Sequence, residues 1–126
     1  MKVALGQFAV SREWQHNAAT CRRLMSEARA GGADLLVLPE GILARDIADP
    51  YIVLRTAQPV DGPFVTQLLD ASRGSALTVM TSVHVPAEQG RVWKLRKLSC
   101  SPSRQSLQRF PFRAPPVQAR LSLARG

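Results

Sequence analysis

The chain has 126 residues, 45% of them apolar, which is a one-domain length with enough hydrophobic material for a core. Its formal charge of +8 is unevenly spread: residues 1–90 carry eight Lys/Arg against nine Asp/Glu, and residues 91–126 carry nine Lys/Arg and no acid. Two cysteines, Cys21 and Cys100, are too few for a disulfide framework. No apolar run approaches the ~18 residues of a membrane span, and the short run after Lys2 lacks a cleavage site, so a cytoplasmic protein without membrane contact is expected.

In chain order, Val3 to Phe8 reads as a strand buried on both faces. Ser11 is placed to cap a helix, with Glu13 in its first turn. Trp14, Ala18, Cys21, Leu24, Met25 and Ala28 share one face of that helix, and Gly31-Gly32 ends it. Leu35–Leu38 is too short and too apolar for anything but a second buried strand, closed by Pro39. Strand, helix and strand within about forty residues make a βαβ-like unit. Asp61-Gly62-Pro63 is turn chemistry. Phe64, Leu68, Leu69 and Ala71 predict a short amphipathic helix that stops near Gly74.

Residues 76–85 read as one β-rich stretch in the same sheet, ended by Pro86 and followed by a hairpin-like loop over 87–90. The alternation at Val92–Leu95 can finish a strand. Residues 99–126 contain four Pro, five Arg and five Ser without any sustained period, and no regular structure is predicted beyond Leu98. The fold class is therefore α/β over residues 1–93, with an irregular basic tail over 94–126.

Glu40 directly follows Leu35-Leu36-Val37-Leu38-Pro39, at the carboxyl end of a strand, where open α/β sheets place their ligand sites. Partly shielded from water, such a carboxylate can act as a base. Taken alone, it is more readily a solvated strand-end glutamate.

Four stretches in this order place that glutamate in context: Gly6-Gln7-Phe8, Ala33-Asp34-Leu35-Leu36-Val37-Leu38-Pro39-Glu40, Asp61-Gly62-Pro63, and the strand around Thr78–His84. Together they resemble the nitrilase superfamily of carbon–nitrogen hydrolases, and within it the bacterial amidases, over residues 1–93. The resemblance implies part of an α-β-β-α sandwich, usually dimerised, and hydrolysis of a small carboxylated amide through a cysteine thioester. No cofactor or metal is implied. Glu40 would be the general base. A lysine would stabilise the tetrahedral intermediate and a cysteine would attack the carbonyl.

Neither of the last two motifs occurs. Lys97-Leu98-Ser99 has serine where the family's lysine motif has histidine, and Cys100 is followed by Ser101-Pro102-Ser103, which is no strand-turn-helix elbow. Cys21 sits on the apolar helix face and reads as a structural thiol. His16 and His84 have no ligand-spaced partners, so no metal site is expected. Arg45-Asp46 lies in the polar loop after Glu40, as a substrate-facing pair or a local ion pair.

The tail supplies the rival reading, a small basic nucleic-acid-binding protein. Arg91, Lys94, Arg96, Lys97, Arg104, Arg109, Arg113, Arg120 and Arg125 could contact phosphates, and Trp93, Phe110 and Phe112 could stack on bases. They match no helix face or recognition signature. An acid-free Arg/Ser/Pro composition is also what out-of-frame translation of a GC-rich gene gives. The expectation is thus a truncated, inactive amidase fragment whose authentic sequence stops near residues 93–98.

Overall fold

The computed structural model describes residues 1–86 and, beyond them, the backbone of three short strands at 92–95, 99–101 and 104–106. The elements run β1 (Val3–Leu5), α1 (Trp14–Ala30), β2 (Leu35–Val37), α2 (Ile52–Thr56), α3 (Pro63–Ser72), β3 (Thr78–Met80), β4 (Val83–Pro86), β5 (Val92–Leu95), β6 (Ser99–Ser101) and β7 (Arg104–Ser106). Strands β1, β2 and β3 form a parallel sheet in that order. Strands β4 and β5 form a separate antiparallel pair, as do β6 and β7.

Register divides the parallel sheet into two faces. Ala4, Leu36 and Val79 are aligned partners on one face. That face packs beneath α1 and α3, whose Ala18, Cys21, Met25, Phe64, Val65 and Leu68 are buried with it in one core. The opposite face carries Val3, Leu5 and Met80, which are 47%, 73% and 37% exposed. The expectation that β1 is buried on both faces is therefore corrected. It is an edge strand, and no described residue covers its outer face.

Helix α1 forms where the apolar spacing places it, and its end follows from Gly31 and from Gly32 at φ +70°. Its start differs from expectation. The N-cap position is Glu13, without a side-chain cap. Ser11 instead binds Asn17, donating its backbone N–H to Asn17 Oδ1 at 2.9 Å. The fully buried Asn17 returns Nδ2–H bonds to Ser11 O at 2.9 Å and Leu43 O at 3.0 Å. A buried amide needs all of these partners.

The β-rich stretch over 76–85 is not one strand of one sheet. It breaks at Thr81-Ser82, so β3 belongs to the parallel sheet and β4 to the second pair. Helix α2 carries no sequence signal, since five residues are too few to display a period. Beyond Leu98, where no regular structure was expected, Ser99–Ser101 and Arg104–Ser106 pair antiparallel. Three-residue strands joined through backbone bonds need no side-chain alternation. The loop predicted over 87–90 and the rest of the tail lie outside the described residues.

The two faces predict opposite responses to mutation. Phe64 is completely buried, so Phe64→Ala should cost about 3–5 kcal/mol in urea unfolding. Leu5→Lys, on the open face, should change stability by no more than about 0.5 kcal/mol and reduce self-association in sedimentation velocity.

Burial pushes the Cys21 thiol from 9.0 to about 12. Below pH 9 the thiol is protonated in both folded and unfolded chains, and its contribution to stability is intact. Between 9 and about 12 the unfolded thiol ionises while the folded one keeps its proton. Stability should therefore fall as pH rises, by roughly 1.4 kcal/mol per pH unit. Urea titrations at rising pH should show this slope as the difference between wild type and Cys21→Ala.

Candidate active site

The carboxyl ends of β2 and β3 lie side by side. The ladder runs one bond past β2, where Leu38 N–H donates to Met80 O at 2.9 Å. Pro39 then offers no N–H, and the chain leaves the sheet as a turn through Glu40 and Gly41. Thr81 Oγ1 donates to Pro39 O at 3.0 Å, and Gly41 N–H donates to Ser82 Oγ at 3.0 Å. Ile42 N–H reaches Ser82 O at 3.4 Å. Gly41 has φ +61°, and a Cβ placed on it would lie 3.2 Å from His84 Cε1. The turn thus needs glycine for both its backbone and its close approach to the ring.

Glu40 itself is exposed at the carboxyl end of β2. Directly after it, Ile42, Leu43 and Ala44 are buried, so the turn is anchored in the core. Asn17 holds Leu43 O, and Arg45 N–H donates to Ser11 O at 3.0 Å, which ties the following loop to the start of α1. In that loop Asp46 pairs with Arg12, at 3.2 Å from Nε, and not with its neighbour Arg45. Of the two readings of Arg45-Asp46, the local ion pair is corrected, because Asp46 is engaged by Arg12 from the segment before α1. Further along, Asp49 accepts from Arg55, and this hydrogen bond holds the Asp49 carboxyl below its usual value.

The remaining candidates come from other elements. Cys21 is buried on the core face of α1. His84 is half-buried in β4 and His16 is exposed on α1. Lys97 lies outside the described residues, and of Cys100 only the strand backbone is described. Among the described residues no three His, Cys, Asp or Glu side chains converge as metal ligands, and no helix is long and apolar enough to cross a membrane. A groove lined by Val3, Leu5, Leu24 and Ala28 runs along the free edge of β1. It reaches Lys2, Gly31 and Ala33 at the amino ends of the strands, so it is not the Glu40 site. Sequence reasoning located Glu40 but missed Thr81, Ser82 and Asn17, which hold its turn. Their type and spacing carry no signal, because their partners are backbone groups distant in sequence.

No family model matches the chain. Among known proteins it is 40% identical over 95 residues to deaminated glutathione amidase of Escherichia coli O157:H7, covering 75% of this chain and 36% of that enzyme. It is 29% identical over 92 residues to a hydrolase of Mycobacterium tuberculosis, covering 73% of this chain and 32% of the relative. The chain therefore spans about a third of the length of the curated relatives it matches.

Among solved structures it is similar to a CN-hydrolase superfamily protein of Xanthomonas campestris, crystallised with an arsenic adduct in its active site. The TM-score is 0.67 at 22% identity, over 89% of this chain and 40% of the other. A glutamine-dependent NAD+ synthetase of Acinetobacter baumannii aligns with a TM-score of 0.64 at 18% identity, over 90% of this chain and 21% of that one. At these identities the structures speak for the fold alone, which is α/β and nitrilase-like. By sequence, then, this chain is similar over three quarters of its length to deaminated glutathione amidase, and by fold it resembles the carbon–nitrogen hydrolases.

Proposed function

We propose that residues 1–93 are the base-bearing part of an amidase, with Glu40 as its general base, and that the chain by itself does not turn over amides. The observation that carries this reading is the position of Glu40: exposed, at the carboxyl end of the central strand, on a turn anchored through Ile42 and Leu43. Hydrolysis through a thioester needs a thiolate, a base to generate it and donors for the oxyanion, all within hydrogen-bond reach of one carbon. A carboxylate at a strand end can serve as the base.

The sequence contains no lysine motif and no cysteine elbow. Cys21 cannot substitute, since its proton is held to about 12 and its helix face is turned into the core. The name of the most informative relative points to the amide of a small carboxylated molecule as substrate class. Residues 94–126 stand outside this machinery. Their concentration of arginine supports a second reading, phosphate contact with nucleic acid, for which steep salt dependence of binding would be diagnostic.

A graft tests the role of Glu40. Residues 1–90 are joined to the remainder of an intact amidase relative, and Glu40→Gln is compared with the unmutated graft. Loss of the base should lower kcat by on the order of 10²–10⁴-fold. Undiminished ammonia release from the mutant would remove Glu40 from the mechanism.

A further inference from the structure

Past the end of a ladder, a buried peptide group has to find a partner elsewhere. Around Glu40 these partners are two adjacent hydroxyls at the β3–β4 junction. Thr81 Oγ1 donates to Pro39 O at 3.0 Å, and that oxygen belongs to the peptide unit preceding the Glu40 Cα. Ser82 Oγ accepts from Gly41 N–H at 3.0 Å, and that nitrogen belongs to the peptide unit following it. Both planes that meet at the Glu40 Cα are therefore held, each by a side chain more than forty residues away in sequence. Thr81 and Ser82 are 3% and 4% exposed, so water has little access to compete for these bonds.

Two peptide planes fixed at one Cα fix its φ and ψ, and with them the direction of the Cα–Cβ bond. Ile42 N–H on Ser82 O continues the same clamp, and the His84 ring lies against Gly41. The break between β3 and β4 falls at these two residues. Their hydroxyls are spent on the turn while the backbone passes from one sheet to the next.

We infer that Thr81 and Ser82 are positioning residues that aim the Glu40 side chain. The importance of that aim for catalysis rests on the reading of Glu40 as base; the aim itself does not. A base must meet its thiol within a few tenths of an ångström and ten to twenty degrees, roughly. An exposed carboxylate on a loose turn would not.

The test uses the full chain, isotopically labelled, in solution. The Glu40 Cα–Cβ order parameter should be about 0.85 in the wild type and fall below about 0.6 in Ser82→Ala and Thr81→Val. Exchange of the Gly41 amide should quicken by about tenfold or more in Ser82→Ala. Thr81→Ser and Ser82→Thr keep the hydroxyls and should restore both readings. Amide signals of Leu36 and Val79 report whether the core is intact, and near-isosteric Thr81→Val carries the test if Ser82→Ala unfolds. An unchanged Glu40 order parameter in folded Thr81→Val or Ser82→Ala overturns the inference and leaves the role of Glu40 standing. A silent Glu40→Gln in the graft would remove that role and leave the clamp measurable.

Discussion

Strand β2 is hydrogen-bonded on both edges, to β1 through Val3↔Leu35, Ala4↔Leu36 and Leu5↔Val37, and to β3 through Leu35↔Thr78, Leu36↔Val79 and Val37↔Met80. The rest of the structure depends on this double pairing. It sends Leu36 and Val79 to the face where α1 and α3 bury Met25, Phe64 and Leu68. It also brings the carboxyl ends of β2 and β3 together, where residues 39–42 reach Thr81 and Ser82. A slip of one residue would turn Leu36 outward and separate Glu40 from its supports.

Periodicity made α1 legible, because seventeen residues give nearly five turns in which Trp14, Cys21 and Met25 can reveal a face. Leu35–Leu38 was legible as a strand because it is short, apolar and closed by proline. The break at Thr81-Ser82 was not, since threonine and serine interrupt no β pattern and their partners lie on another segment. The open face of β1 was illegible for a different reason. Val3 and Leu5 are the residues of a strand meant to be covered, and sequence alone does not say whether the cover is present. Glu40 could be located from Pro39 and the strand before it, while the Arg12–Asp46 pair depends on a loop path that no local pattern encodes.

The charge pattern divides the chain, although β5 of the basic segment pairs with β4. Residues 1–90 are nearly balanced and contain the whole described core; the arginine-rich remainder has no acid. The core segment supports a carboxylate with care. Asn17 holds Leu43, Ser11 holds Arg45, and the Thr81–Ser82 pair holds Pro39 and Gly41. In the proposed reading this is half of a catalytic arrangement: the base is aimed, and no nucleophile or oxyanion-donor motif accompanies it within residues 1–126.

The most direct measurement is ammonia release by the purified full chain incubated with short ω-amides of dicarboxylic acids. The account predicts a rate equal to the uncatalysed background, unaffected by Glu40→Gln. Turnover above background that disappears in both Glu40→Gln and Cys100→Ser would contradict it, because it would make Cys100 a nucleophile and the basic segment part of a working enzyme.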